Sequence, residues 1–275
     1  MLRFLRIALC VLAAVFCQRT ASAASPAVAN ASFESGEGLP AGWTATGSTA
    51  WGRGNAADGT RFVTVHTDGQ WTSAPLVLKP GGTYELRLRY RFQPKPGAPG
   101  AYAVVGPDFG IQVVPMVAAE NPAAWREHRL RFAAPDTAAQ STTRISLGQW
   151  RLQGTIDFDR VELYPVKLAH TKRGDMVLGE GESLSENRYR FIAPLETWRT
   201  VSRPLAGFTA VFHENRWRFA AAGRYVVYRH AVAGRRQTRV TVTPSVWFHE
   251  PSSLRLRVEA STDGQTYRLL GTARN

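Results

Sequence analysis

The chain has 275 residues, with 34 Lys and Arg against 21 Asp and Glu for a net charge of +13. Both of its cysteines, Cys10 and Cys17, fall within the first 23 residues. The remainder therefore has no thiol nucleophile and no disulfide, and a sizeable apolar core must hold it together.

The leader "MLRFLRIALCVLAAVFCQRTASA" has Arg3 and Arg6, an apolar run from Ile7 to Phe16, and Ala21-Ser22-Ala23 as a small-residue cleavage signal. That pattern predicts a signal peptide over residues 1–23 and an exported protein, periplasmic or extracellular. The apolar run is too short to span a bilayer, and no later segment is long enough, so no transmembrane segment is expected.

From residue 27 onward, strand-like alternation recurs between turn signals. The expected strands of a first domain cover 61–67, 83–92, 102–106, 110–117, 125–134, 143–150 and 155–166. In "YELRLRYRF" the residues Tyr84, Leu86, Leu88, Tyr90 and Phe92 point one way while Arg87, Arg89 and Arg91 point the other. Arginines spaced in this way mark the solvated face of a strand, with an anionic polymer as a possible partner. They do not form the clustered patch of a nucleic-acid binder.

Alternation stops near "KLAHTKRGDM" and then resumes over 187–195, 207–220, 224–232, 238–248, 253–262 and 266–272. Asp263-Gly264 in "STDGQTY" predicts a tight hairpin turn. The expected fold is all-β, with two consecutive antiparallel β-sandwich (jelly-roll) domains, 27–166 and 175–275. The second is short for a closed sandwich, so either it is small or its last strands are missing.

Catalytic constellations are poorly supplied. No G-x-S-x-G elbow occurs, and no pair among the six histidines has H-x-x-x-H spacing. His230 in "VVYRHAV" reads as a half-buried strand histidine. Glu34, Asp157, Asp159 and Glu162 have few polar neighbours to tune an acid, so no glycosidase pair is expected. The chain is read as a non-enzyme.

Carbohydrate binding suits the residues better, since pyranose faces pack on aromatic rings and hydroxyls meet amides or guanidinium groups. Trp51, Arg53, Trp71, Tyr102, Gln112, Gln149 and Trp150 are the candidate ligand-binding residues. Trp51, Trp71 and Trp150 each lie beside a turn signal, where exposure is expected. Trp43 and Trp125 fit core roles.

"NASFESGEGLPAGW" (30–43) and "GTIDFDRVELY" (154–164) stand at the two ends of the first domain. They resemble the opening N-x-x-F-E and closing G-T-x-x-F-D-D-V-x-L motifs of CenC-type (family 4/9) carbohydrate-binding modules, which are galactose-binding-like jelly rolls. The resemblance covers residues 27–166. It implies that Glu34 and Asp159 help hold a structural calcium, although Arg160 replaces the family's second aspartate. "LRVEASTDGQTYRLLGT" is similar to a hairpin of discoidin-like sandwiches, with Tyr267 in place of the usual Trp.

The leading expectation is an exported, non-catalytic glycan-binding protein. One alternative is a cell-surface adhesion or structural module that binds protein or anionic polymer. The other is the accessory N-terminal part of a polysaccharide-degrading enzyme.

Overall fold

In the computed structural model, every named element among the described residues is a β-strand. The described residues are 27–96, 101–116, 121, 124–137, 141–151, 153–168, 170–173, 176–186, 188–195, 202–213, 215–232, 234, 236–246 and 255–274. The expected signal peptide, with Cys10 and Cys17, lies outside them.

Ten strands build the sandwich: β1 (Trp43–Thr46), β2 (Thr49–Arg53), β3 (Arg61–Val65), β4 (Gln70–Ser73), β5 (Thr83–Pro94), β6 (Ala101–Pro107), β7 (Gln112–Met116), β8 (Arg126–Ala133), β9 (Ile145–Trp150) and β10 (Gly154–Pro165). They form two five-stranded antiparallel sheets. The front sheet has the order β7-β6-β9-β4-β1 and the back sheet β8-β5-β10-β3-β2. The all-β, antiparallel architecture expected from alternation is the one observed.

Period-two alternation explains the core. On β5 the inward set is Tyr84, Leu86, Leu88, Tyr90 and Phe92, all buried as the alternation predicts. Across from it, Trp71, Ala103, Val105, Ile145 and Leu147 come from the front sheet and join the same buried cluster. Burying each large apolar side chain contributes roughly 1.5–3 kcal/mol. Because β10 pairs with both β5 and β3, the back sheet is complete only when the last of these strands is in place.

In the opening segment Phe33 enters this core from a turn, and residues 36–37 then pair with 39–40 in a short ladder. Phe33 is fully buried with its backbone at φ 59°, a left-handed conformation rare for an aromatic residue. Asn30 organises the bend: its amide donates to the carbonyls of Ser35 and Ala41, and its oxygen accepts the Ser35 N–H. The Phe33 and Trp43 rings then meet at 4.9 Å, and the Trp43 indole donates to the Ala29 carbonyl.

Where the back sheet turns its charged face outward, β5 and β10 set Arg91 opposite Asp157. Their side chains are only 7% and 6% exposed. Asp157 also accepts from Thr64 at 2.7 Å, and Arg91 reaches the Asn55 carbonyl at 3.2 Å. The guanidinium lies against the rings of Phe62 and Trp125. Trp125 is thus half-buried against this pair.

Beyond β10 the described strands form two-stranded ladders: 171–173 with 176–178, 182–185 with 188–191, 205–208 with 226–228, and 211–213 with 216–218. Contacts divide the chain into two units, residues up to Ala231 and Val232–Asn275. Within the first unit Phe208 and Phe212 are buried, and the Phe212 N–H donates to the Phe109 carbonyl.

The second unit contains the hairpin Arg255–Ala260 with Arg268–Arg274. Its connection, residues 261–267, is longer than the tight turn expected at Asp263-Gly264. The Asp263 carboxylate accepts the N–H groups of Gln265 and Thr266 and so organises a wider loop. The strand expected at 238–248 has no ladder in its described part, to residue 246. Val240 is 61% exposed there, so the alternation has no surface to pack against.

Cutting the carboxylate from the buried pair strands the Arg91 charge. We expect Asp157→Ala to lose about 3–5 kcal/mol of stability in urea unfolding, and the double change Arg91→Met with Asp157→Leu to lose less. Equal losses would show that the pair's charge is not what matters.

Candidate functional site

The outward faces follow from the same alternation. On the front sheet the residues facing away from the core are Thr44 and Thr46 on β1, Gln70 and Thr72 on β4, Tyr102 and Val104 on β6, Val113 and Pro115 on β7, and Ser146, Gly148 and Trp150 on β9. Tyr102 and Trp150 are directly opposite each other across β6 and β9. They are 38% and 44% exposed, with ring centroids 5.3 Å apart and planes tilted by 43°.

Beside this pair the floor is low and polar. Gly148 has no side chain, and the Gln70 amide donates to the Ser146 hydroxyl at 3.2 Å. The Arg151 guanidinium lies 4.5 Å from the centroid of the Trp150 ring. Such a surface combines exposed ring faces with amide, hydroxyl and guanidinium donors.

The structure brings only some of the expected ligand residues to this face. Gln149, between Gly148 and Trp150, has inward parity, and its amide donates to the Thr67 carbonyl, which holds the β3–β4 connection. Trp71 is a correction. At 1% exposed it is a core residue, paired in register with Leu147, and its indole donates to the Thr64 carbonyl. Gln112 is a second correction, because it has inward parity on β7 and is 0% exposed. Neither can meet a ligand at the surface.

Trp51 and Arg53 lie on β2, an edge strand of the other sheet. The Trp51 indole donates to the Phe33 carbonyl, and Arg61 covers the ring at 3.9 Å, so this tryptophan packs the opening segment against the sandwich. Arg53 is exposed at the end of β2.

Glu34 and Asp159, the residues matched to a calcium site, grip one loop. The Glu34 carboxylate accepts the N–H of Thr60 and Arg61, at 2.8 and 2.6 Å, and the Thr60 hydroxyl. Asp159 accepts the N–H of Ala57 and Asp58, at 2.7 and 2.8 Å, and that of Arg160. The β2–β3 loop is thus clasped from both ends of the domain. At Gly59, with φ 71°, an L side chain would be strained and its Cβ would come within 2.5 Å of the Glu34 carboxylate, which would have to shift.

Arg160 pairs with Glu162 through its side chain rather than with Glu34 or Asp159. Calcium seeks six to eight oxygen ligands. Here N–H donors already address oxygens of both carboxylates, and no group of three or more His, Cys, Asp or Glu side chains suited to a metal occurs among the described residues. The two carboxylates serve the loop as a clasp.

The two carboxylates titrate in opposite senses. Desolvation pushes the Glu34 carboxyl up, but the N–H groups of Arg61 and Thr60, the Thr60 hydroxyl and the Arg61 charge outweigh it and leave it below the ordinary value. At Asp159 desolvation prevails over the donors and raises the carboxyl to about 6.

A further polar cluster escaped the sequence reading. Glu182 accepts from both Arg203 and the Tyr189 hydroxyl. His230 Nδ1 lies 2.9 Å from the Tyr189 oxygen. Since Tyr189 donates to the carboxylate, His230 donates to Tyr189. Burial and the adjacent Glu182 raise the tyrosine pKa. Glu182 and Tyr189 share the 182–191 ladder, whereas Arg203 and His230 reach it from segments outside the strands, so no local spacing announces the full set.

No family model matches the chain, and no curated protein matches it. Among solved structures it is similar to a cyclase from Fischerella sp. TAU, at 17% identity over 52% of this chain and 98% of that one, with a TM-score of 0.40. It is also similar to the CBM22-1 xylan-binding domain from Paenibacillus barcinonensis Xyn10C, at 18% identity, 50% and 93% coverage and a TM-score of 0.35. TmCBM61, in complex with beta-1,4-galactotriose, matches at 17% identity, 50% and 97% coverage and a TM-score of 0.37. The chain therefore has a divergent, low-identity likeness to jelly-roll carbohydrate-binding modules and to a cyclase alike. Likeness at this level assigns neither family nor ligand.

Because its folded pKa is raised, Asp159 contributes stability that is fully present below about 3.8 and is lost as pH rises through about 6. Denaturant unfolding at a series of pH values should show this loss, and Asp159→Asn should flatten it; identical slopes in both proteins would contradict the assignment. Asp159→Ala, which strands the Ala57 and Asp58 N–H groups, should cost about 2–4 kcal/mol at neutral pH.

Proposed function

We propose that the chain is a non-catalytic glycan-binding protein whose ligand lies on the outer face of the front sheet. The observation that carries this reading is the exposed cross-strand pair of Tyr102 and Trp150 beside the floor of Gln70, Ser146 and Gly148. Sugar rings present C–H faces that pack on the aromatic rings, while their hydroxyls meet the Gln70 amide, the neighbouring hydroxyls and Arg151. Binding of this kind is weak, because an open sheet leaves the sugar much of its hydration.

The outward residues of this face include no carboxylate, imidazole or thiol. Glycoside hydrolysis requires two carboxylates flanking the bond, so the residues around the aromatic pair support binding rather than cleavage. Residues 1–23 read as an export leader, and export places such a face where extracellular polysaccharide is met. Calcium at Glu34 and Asp159 is a separate proposal from the family resemblance, and the glycan site does not depend on it.

Two measurements test these readings. In affinity electrophoresis against xylan, β-glucan, galactan and mannan, at least one polymer should retard the protein. Tyr102→Ala and Trp150→Ala should each weaken binding about tenfold, or about 1.4 kcal/mol, with little change in melting temperature. Retardation by none, or retardation that both variants retain, contradicts the proposal. For calcium at Glu34 and Asp159, the melting temperature should be higher in calcium than in chelator, and Glu34→Ala should abolish the difference; the same melting temperature in both would contradict the ion.

A further inference from the structure

The outer face of the back sheet is a lattice of arginines and carboxylates. Arg87, Arg89 and Arg91 on β5, Arg129 and Arg131 on β8, and Arg160 in β10 stand among Glu85, Glu127, Asp157 and Glu162. Glu85 serves both Arg87 and Arg131, and Glu127 serves both Arg89 and Arg129. Asp159 also belongs to this face by parity, but it is fully buried and accepts the N–H groups of the clasped loop. The cations on this face therefore outnumber the carboxylates that answer them.

The surplus is concentrated in one place. A hollow of about 100 Å³ is lined by Arg87, Arg89, Glu127, Arg160, Glu162 and Tyr164. Arg87 meets Glu85 through Nε, Arg89 meets Glu127 through a terminal nitrogen, and Arg160 meets Glu162 through Nε. An arginine carries five N–H donors, so contacts through one nitrogen leave each guanidinium with donors for a ligand.

The backbone is shaped to bring the third arginine here. The register between β10 and β5 shifts between Asp159 and Glu162, and Arg160 sits in that bulge at φ 49°. Bulges re-aim side chains, and a non-glycine residue at positive φ is a conformation that costs energy. At this position the bulge sends the Arg160 guanidinium to the rim shared with Glu162. Arg87 also lies 4.7 Å from the centroid of the half-exposed Tyr164 ring, so an apolar face borders the cationic cluster.

We propose that this hollow binds the oxyanion substituent of an acidic polysaccharide, a carboxylate or a sulfate ester. Guanidinium forks match both groups, and the Tyr164 ring offers a surface for the sugar that carries them. The interleaved Glu127 and Glu162 disfavour a chain as densely charged as nucleic acid, which presents a phosphate every few ångströms. A polymer with its charges spaced by sugar rings places an anion among the arginines without crowding the carboxylates. This site is on the opposite sheet from Tyr102 and Trp150 and does not depend on them.

The test measures binding of the chain to polygalacturonate, dextran sulfate, uncharged dextran and a single-stranded DNA oligonucleotide, at about 50 and about 200 mM salt. Polygalacturonate or dextran sulfate should bind, and the one preferred identifies the anion as carboxylate or sulfate; dextran should not bind. Arg160→Gly should weaken that binding about tenfold. Glycine relieves the positive φ, so the variant should melt at or above the parent temperature. Arg188→Ala removes the same charge from the exposed 182–191 ladder, outside the hollow, and should change binding less than about twofold. The proposal is overturned if neither acidic polymer binds, if both variants weaken binding equally so that net charge alone is responsible, or if the oligonucleotide binds more tightly than either polymer. Persistence of acidic-polymer binding in Trp150→Ala separates this site from the front-sheet one.

Discussion

One loop joins the two ends of the sandwich. Residues 57–61, between β2 and β3, direct backbone N–H groups at Glu34 from the opening segment and at Asp159 from the closing strand. Each carboxylate collects two backbone N–H groups of this loop, so a largely exposed segment is tied to both ends of the domain. Next to this clasp, Arg91 and Asp157 tie the central strands together beneath Phe62 and Trp125. The back sheet is consequently rigid and ionic at one end, and its charge is spent mostly on itself.

The two outer faces differ in kind for that reason. The back face is a network of shared ion pairs in which positions of surplus positive charge are few. The front face carries neutral residues, with Thr44, Gln70, Thr72, Ser146 and Gly148 around a single aromatic pair. A neutral, hydroxyl-rich surface with exposed rings suits a ligand that is itself uncharged and rich in hydroxyls. The back face, by contrast, offers guanidinium groups and suits a charged ligand.

Much of the fold was legible because alternation and turn residues are local signals. The inward set on β5 can be named residue by residue, and Trp43 fits a core role from its place after the Gly/Pro-rich loop. The site was less legible. Trp71 and Trp150 both lie beside turns, which suggested exposure for each, but strand parity separates them. In "ISLGQW" the apolar pair Ile145 and Leu147 commits the opposite parity, and with it Trp150, to the outside. Trp71 pairs with Leu147 across the ladder, a register that no local pattern states. Gln112 failed for the same reason, since the short run around it alternates too weakly to reveal its inward face. Glu34 and Asp159 both reach the β2–β3 loop, and which N–H groups they accept depends on how that loop folds, which no local pattern states.

Of the tryptophans in the sandwich, Trp150 is the one that the proposed glycan site engages, and it is 44% exposed. The indole N–H groups of Trp43, Trp51, Trp71 and Trp125 each donate to a backbone carbonyl. Their ¹H–¹⁵N signals report fixed internal bonds, whereas Trp150 stands at the exposed face. The most direct measurement is a titration of the ¹⁵N-labelled protein with the polysaccharide that retards it, following the indole signals. The account predicts that the Trp150 signal shifts progressively while those of Trp43, Trp51 and Trp71 stay in place. Movement of the Trp51 or Trp71 signals with Trp150 unchanged would contradict it.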